Sequence, residues 1–288
     1  MPRGGAQWVQ CPRCGYVGYL VRRRVKGKYY FYVRHQEGGR YYEHCVGSED
    51  NPPEFGLPAR AGEWKPHTKV VRYYGGDSPI LPFLRQLVPP HVIYVEVFAG
   101  GATLLLAKPE SLVEVYNDIN TRMVNLYMCI ARHACLRELI ELVKSAPISR
   151  MLWEESSMRE IEPIPRDAIP SAEEAFYTLY ARYWGHGGTL RSFNAADLWG
   201  GREPHTWYWE RLPQKLKELH RRLRLVIFEN ADWRQVLRKY DRETAFFYLD
   251  PPHHNTGGAW EYPGPGVPRW TEKDFIELLD ALKGVKGR

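Results

Sequence analysis

The sequence predicts an α/β fold with an open sheet, because four short apolar segments each carry an acid at or just after their carboxyl end. The segments lie at 92–97, 112–117, 223–229 and 246–249, and helical periodicity follows the first three. Ligands of open α/β sheets bind in the crevice outside the carboxyl ends of the strands. We therefore predict a binding crevice along one edge of this sheet.

Length and composition indicate a globular protein with one main domain and an appendage. The 288 residues are 44% hydrophobic and 26% charged. No apolar run approaches the roughly 20 residues of a membrane span, and the first residues lack the apolar region of a signal peptide. We therefore expect a cytoplasmic protein that does not bind membranes. The formal net charge of +6 and the pI near 9.0 fit a polyanionic partner such as a nucleic acid.

Residues 1–50 predict a zinc-ribbon-like β module, and the stretch 51–68, rich in proline, glycine and charge, predicts a linker. Cys11 and Cys14 are separated by two residues. With this spacing, two thiolates from one tight turn occupy half of a tetrahedral zinc site. The chain has five cysteines, and because disulfides are rare in reducing compartments we favour a metal site over a disulfide framework.

The other half of the predicted metal site lies in a hairpin. The aromatic-rich segments 29–35 and 40–45 flank a pair of glycines, which predicts two antiparallel strands. Such a hairpin would bring His35 and Cys45 to the paired thiolates. His44 is a second candidate, because adjacent residues seldom both serve as ligands. A small β module without metal fits the same pattern.

The first predicted strand leads into a glycine turn and then a helix. Gly100 and Gly101 lack side chains, which lets the backbone approach a cofactor closely before the helix that begins at Thr103. The second predicted strand, 112–117, is followed by Asp118. This is the spacing at which nucleotide-binding βαβ units place a carboxylate on ribose hydroxyls. Asp118 is equally suited to cap the helix that follows.

A long segment, 139–222, separates the second predicted strand from the third. Ser171 and the acids that follow it predict a helix start, and a glycine-rich loop occupies 185–194. Aromatic and basic residues are interleaved over 207–223, a pattern typical of nucleic-acid-binding surfaces. A solvated amphipathic helix explains the same charges.

The fourth predicted strand ends at Asp250, Pro251, Pro252 and His253. Neither proline can donate to a sheet, and each fixes its own φ, so the backbone just past the strand is held rigid. The pattern predicts that the carboxylate of Asp250 is presented at a strand end. An ordinary turn after a strand explains the three residues Asp-Pro-Pro if they are taken alone.

Together and in this order, five segments resemble the motifs of the Dam-like, alpha-class adenine-N6 DNA methyltransferases, which use S-adenosylmethionine. Their R-Y-x-G-G, E-P-F-x-G-G, D-I-N, G-D-F/W and D-P-P-Y motifs match 72–77, 96–101, 117–120, 230–233 and 250–253. The resemblance covers residues 69 to about 282. It implies a Rossmann-like methyltransferase sheet built from 69–138 and 223–288, with 139–222 as a helical target-recognition insertion. Double-stranded DNA is the implied partner, and restriction–modification the implied setting.

The resemblance also implies the roles of the cofactor-binding residues. Phe98 and Gly100 would line the methionine moiety, Asp118 would hold the ribose hydroxyls, and Asp232 would accept a hydrogen bond from the cofactor's adenine amino group. The full implied set is Tyr73, Gly75, Glu96, Phe98, Gly100, Gly101, Asp118, Ile119, Asp232, Trp233 and Asp250.

The implied catalytic residues are Asp250, Pro251, Pro252 and His253. Asp250 and the Pro251 carbonyl would accept hydrogen bonds from the exocyclic amine of an adenine flipped out of the duplex, and His253 would stack on that base. Two acceptors that pull the amine lone pair out of conjugation help only if their geometry is rigid. No covalent enzyme intermediate is needed, so we expect Cys129 and Cys135 to be core residues rather than nucleophiles.

The sequence departs from the family's pattern at several positions. His253 stands in place of a tyrosine, Asp77 in place of a lysine, and Ala102 in place of a third glycine. The histidine at 253 predicts that activity depends on pH near neutrality. After the helix predicted from Thr271, the family has further strands, so we expect a truncated or split gene product, or a second chain that supplies them. Two alternatives to adenine methylation are cytosine-N4 methylation and an inactive nucleic-acid-binding fragment. The presence of aspartate rather than serine at position 250 favours adenine over cytosine.

Overall fold

The structure of the chain is a computed structural model. It describes residues 8–11, 13, 17–37, 40–48, 50, 80–188, 190–194, 198–199, 203–252 and 270–288. Among the described helices, none combines the length and the apolar character that a membrane span requires.

An antiparallel sheet of four strands forms the amino-terminal module. Its strands are paired in chain order: β1 (Trp8–Gln10), β2 (Val17–Val25), β3 (Lys28–Glu37) and β4 (Arg40–Ser48). Lys26 and Gly27 both have positive φ, as the tight turn between β2 and β3 requires. The pairing of β3 with β4 confirms the hairpin that the sequence predicts.

A parallel sheet of four strands forms the centre of the remaining chain. The strands of this part of the chain are β5 (Ile93–Glu96), β6 (Val113–Asn117), a short ribbon of β7 (Leu198–Trp199) and β8 (Glu203–Pro204), β9 (Ile227–Glu229) and β10 (Ala245–Tyr248). The main sheet has the order β10-β5-β6-β9, with every pairing parallel. From β5 the chain moves outward to β6 and β9, and then returns to add β10 on the other side of β5. Ligands of such sheets bind where the strand order reverses, which here is between β5 and β10.

Helices cover both faces of this sheet. They are α1 (Leu81–Leu87), α2 (Thr103–Ala107), α3 (Thr121–Ala131), α4 (His133–Ser145), α5 (Arg150–Arg159), α6 (Ala172–Trp184), α7 (His205–Leu223), α8 (Trp233–Tyr240) and α9 (Glu272–Leu282). The helix starts predicted near residues 171 and 271 are confirmed, because Ser171 caps α6 and Thr271 caps α9. The boundary that we predicted at 139 falls inside α4.

The core has two halves, one on each face of the sheet. Successive residues of β5 point to opposite faces, so Tyr94 packs into the larger cluster with α3, α4, α6 and α7, while Val95 packs into the smaller cluster with α8 and α9. Both side chains are fully buried. A strand buried on both faces reads as a continuous apolar run, which is why the sequence signal for this sheet is strong.

Cys129 and Cys135 form a disulfide between α3 and α4. Their buried position agrees with the expected core role, but their bonding corrects our expectation that the cysteines serve a metal site rather than a disulfide. The chain leaves helical geometry at Arg132, between the two helices, and this break brings the two Cα atoms within 5.0 Å. That separation lies within the normal range for a disulfide.

The residues after α9 return to the outer edge of β10. The Arg288 N–H donates to the Ala245 carbonyl (2.9 Å), and the Phe247 N–H donates to the Arg288 carbonyl (2.9 Å). This pair of bonds on either side of Phe246 is the pattern of a parallel ladder.

Candidate active site at the carboxyl edge of the sheet

A cleft of about 200 Å³ opens at the carboxyl edge of the parallel sheet. All four strand ends contribute to it, together with the starts of α8 and α9. Its lining residues are Val97, Phe98, Asn117, Ile119, Ala231, Asp232, Trp233, Arg234, Pro252, Trp270 and Asp274. The crevice that the sequence predicts at this edge is therefore present.

The glycine turn after β5 is held from beneath by two buried tyrosines. The Tyr116 hydroxyl donates to the Gly100 carbonyl (2.9 Å), and the Tyr127 hydroxyl donates to the Gly101 carbonyl (2.7 Å). Gly100 has φ 44°, and Ala102 adopts φ 53° at the start of α2. Left-handed geometry suits glycine and costs alanine roughly 1 kcal/mol, so the turn tolerates strain at Ala102.

Glu96 supports the same turn from the end of β5. It is buried, and its Oε2 accepts hydrogen bonds from the Tyr94 hydroxyl (2.8 Å) and from the Leu105 N–H (2.9 Å). A carboxylate that accepts a backbone N–H in the first turn of a helix satisfies one of the donors left open there. In this arrangement Glu96 fixes the start of α2 against β5.

Asp118 lies directly behind the glycine turn. Its carboxylate accepts hydrogen bonds from the Gly100 N–H (2.7 Å) and the Asn120 N–H (2.8 Å). Burial raises the pKa of Asp118, and these backbone hydrogen bonds oppose the rise. The cap of α3 is Asn120, whose side chain accepts from the Arg122 N–H (3.0 Å). The capping role that we considered for Asp118 is therefore wrong.

Asn117 joins three strand ends, a role that the sequence reasoning missed. Its buried Nδ2 donates to the Val97 carbonyl (2.8 Å) and the Ala231 carbonyl (3.1 Å), while its Oδ1 accepts from the Ala231 N–H (3.0 Å). The side chain thus bridges the residues after β5 and β9 from the end of β6. The sequence does show a polar amide at the end of an apolar strand, but its hydrogen-bond partners, Val97 and Ala231, are remote in sequence.

Asp232 and Arg234 form a charged rim at the start of α8. Asp232 caps the helix by accepting from the Arg234 N–H (2.9 Å), and its other oxygen pairs with the Arg234 guanidinium (3.0 Å). The same guanidinium reaches Glu277 of α9 through two hydrogen bonds of 2.5 Å. The hydrogen bonds to Glu277 raise the pKa of Arg234, so this group keeps its positive charge.

Aromatic rings form the apolar wall of the cleft. Phe98 meets Trp270 edge to face, with ring centroids 5.3 Å apart, and Trp233 lies 6.4 Å from the same indole. The Arg234 guanidinium sits 4.4 Å from the Trp233 ring centroid. Flat apolar walls beside a charged rim suit a ligand with a planar heterocycle and polar substituents.

The residues after β10 reach the cleft from the other side of β5. The Val97 N–H donates to the Tyr248 carbonyl (3.1 Å), which fixes the end of β10 against β5. Asp250 and Pro251 follow, both partly buried, and Pro252 lines the cleft. The predicted residues Tyr73, Gly75 and His253 lie outside the described part of the chain.

The predicted metal ligands are only partly brought together. Among the described residues, Cys11, His35 and His44 form a group whose potential ligand atoms all lie within 4.8 Å of one another. Cys45, which we expected to be a ligand, instead has its Sγ near the Gly47 carbonyl (3.9 Å). His44 takes its place, because neighbouring residues of a strand point to opposite faces. Cys14 lies outside the described residues.

A parallel α/β sheet with a cleft at the carboxyl ends of its strands defines the class of open α/β proteins, whose ligands bind at that edge. Comparison with known families is more specific. The model of the D12 class N6 adenine-specific DNA methyltransferases matches residues 73–286, and the chain belongs to that family. No curated protein matches the chain.

Proposed function

We propose that the chain transfers a methyl group from S-adenosylmethionine to the exocyclic N6 amine of adenine in double-stranded DNA. The observation that carries the proposal is the cleft at the carboxyl edge of the sheet, which residues after all four strands line, among them Phe98, Asp232 and Pro252. The glycine turn and Asp250 directly adjoin these residues in the chain. The family supports adenine-N6 methylation in general, and the residues that line or adjoin the cleft are our candidates for performing it.

The described residues fit S-adenosylmethionine, which supplies an electrophilic methyl group on a sulfonium sulfur. Phe98, Trp233 and Trp270 provide flat apolar surfaces for the adenine ring and the methionine stem. Asp232 lies at the rim, where it can accept from an amino group. Asp118, behind the glycine turn, is the candidate partner of the ribose hydroxyls.

Asp250 and Pro251 act on the incoming amine. An adenine amine is a poor nucleophile because its lone pair is conjugated with the ring. Two fixed acceptors, the Asp250 carboxylate and the Pro251 carbonyl, orient the amine hydrogens and favour the geometry in which the lone pair attacks. Pro251 and Pro252 restrict the backbone, and the bond between Val97 and Tyr248 anchors it to β5.

The helical segment 139–222 is the candidate DNA-binding part. On α7, apolar side chains at regular spacing are buried, and the opposite face exposes the basic residues Arg211, Lys217 and Arg221. The Arg211 guanidinium stacks over the exposed Trp207 ring, 3.4 Å from its centroid. Exposed cations beside an aromatic ring suit a phosphate backbone with unstacked bases.

Methyl transfer tests the proposal. The purified chain is incubated with DNA and S-adenosylmethionine carrying a labelled methyl group, and the DNA is digested to nucleosides. We expect label in N6-methyladenine; label in N4-methylcytosine would support the cytosine alternative, and no label would support an inactive fragment.

Asp250→Ala tests the assignment of the acceptor. We expect transfer to fall by at least about 100-fold, as for removal of one preorganised transition-state contact, with DNA affinity nearly unchanged. Asp280→Ala, the same substitution on the exposed face of α9, is the matched control and should retain transfer. Normal methylation by Asp250→Ala would refute the assignment.

A further inference from the structure

The amino-terminal sheet gathers one cysteine and two histidines on a single face. His35 of β3 lies opposite Tyr42 of β4, and Val33 lies opposite His44. Because side chains alternate along a strand, His35 and His44 share a face on neighbouring strands. Cys11 follows β1 and reaches the same face, where its Sγ lies 3.4 Å from the His44 Nδ1.

The separation of these atoms matches that of two ligands on one zinc ion. Zinc binds thiolate sulfur at about 2.3 Å and imidazole nitrogen at about 2.0 Å, with tetrahedral angles. Those values give a sulfur-to-nitrogen distance of about 3.5 Å. The observed distance between Cys11 and His44 is 3.4 Å, and the potential ligand atom of His35 lies within 4.8 Å of both.

The ligand types and their burial favour zinc over a hard cation. A thiolate and two imidazoles suit zinc, whereas calcium and magnesium prefer oxygen ligands. Cys11 is 1% exposed and His35 is 3% exposed. His44, the third member of the group, is half-buried.

The module also needs a further source of stability. Its described core consists of Val9, Cys11 and Val33, with Leu20 and Val46 partly buried against them. Folded units of this size seldom have enough apolar core to be stable without a metal, disulfides or oligomerisation. A metal held by His35 of β3, His44 of β4 and Cys11, directly after β1, would fasten three of the four strands to one another.

We propose that the amino-terminal module binds one zinc ion through Cys11, His35 and His44. The site lies outside residues 73–286, so it stands apart from the methyltransferase family match. The ion is structural: it fixes the sheet, and the methyl-transfer chemistry does not require it.

Metal analysis of the full chain tests the site. The chain is purified, exposed to zinc and freed of unbound metal, and its zinc is measured by atomic emission. We expect about one zinc per chain, and at least about a 100-fold weaker zinc affinity for Cys11→Ala and His44→Ala. Cys45→Ala is the matched control, because Cys45 adjoins His44 on the same strand but faces away from the cluster. It should bind zinc like the unaltered chain.

Cobalt provides a second readout, because its spectrum reports directly whether a thiolate is a ligand. Cobalt bound to a thiolate has a sulfur-to-metal charge-transfer absorption band in the near ultraviolet. The unaltered chain and Cys45→Ala should both show this band on cobalt addition, and Cys11→Ala should lose it. An unaltered chain that binds neither zinc nor cobalt overturns the proposal, and so does a Cys45→Ala variant that loses the band while Cys11→Ala keeps it.

Discussion

Replacing Asn117 by leucine tests whether one buried amide holds the carboxyl ends of three strands together. Leucine has the same branched shape as asparagine but cannot hydrogen-bond. The variant loses three hydrogen bonds, two donated to the Val97 and Ala231 carbonyls and one accepted from the Ala231 N–H. At a net contribution of about 1 kcal/mol each, the loss is about 3 kcal/mol, because the partner groups are left buried without a bond.

The free energy of unfolding is measured by urea denaturation of the unaltered chain and of Asn117→Leu. Asn230→Leu is the comparison, because the Asn230 side chain also makes three hydrogen bonds but from a more exposed position: it donates to the Asp118 and Ile119 carbonyls and accepts from the Arg166 guanidinium. We expect a loss of about 3 kcal/mol for Asn117→Leu and about 1 kcal/mol for Asn230→Leu. Equal losses, or a loss below about 0.5 kcal/mol for Asn117→Leu, would refute the role of Asn117 as the clamp.

Two further predictions concern charged residues away from the cleft. Glu114→Gln should lower stability by about 3 kcal/mol, because the buried Lys108 and Arg222 lose their shared carboxylate. Burial raises the pKa of Glu114, but the charges and hydrogen bonds of Lys108 and Arg222 outweigh burial and lower this pKa. The stabilisation by Glu114 is therefore present above about pH 4.5 and is lost as the pH falls below that value. Urea titrations at several pH values should show a shallower acid dependence in Glu114→Gln, and an unchanged slope would contradict the pairing. Arg211→Glu should weaken DNA binding about tenfold at low salt. Arg238→Glu, on the exposed side of α8, is the control. Equal weakening by the two substitutions would argue against α7 as the DNA-binding surface.

The strands and the crevice could be predicted because their signals are local. An apolar run that is buried on both faces, such as the one that contains Tyr94 and Val95, can be recognised from consecutive residues. The acids after the strands could be placed at one edge because parallel strands share their direction. Asp118, Asp232 and Asp250 all follow strands of the one sheet.

The contacts that hold the site could not be predicted, because they join residues that are distant in sequence. Asn117 and Ala231 are 114 positions apart, and Tyr127 reaches a carbonyl 26 positions earlier. The pairing of Arg234 with Glu277 depends on how α8 and α9 lie against each other. No periodicity or spacing in the sequence encodes such a meeting.

Two local errors have simple physical causes. Cys45 was named as the ligand and its neighbour His44 only as the second candidate, whereas the pleat of β4 puts His44 on the face shared with His35. A disulfide was not expected, whereas the break at Arg132 between α3 and α4 brings Cys129 and Cys135 together. In both cases the direction of a side chain, rather than its chemistry, decided the outcome.

The central claim is that the cleft at the carboxyl edge of the parallel sheet binds S-adenosylmethionine. Equilibrium titration of S-adenosylmethionine into the unaltered chain and into Phe98→Ala tests it, with Phe83→Ala on the exposed face of α1 as the matched control. We predict one binding site per chain and unchanged binding for Phe83→Ala. Phe98→Ala should bind at least about tenfold more weakly, because an aromatic contact of about 1.5 kcal/mol is lost. No binding to the unaltered chain, or equal binding to all three proteins, would contradict the claim.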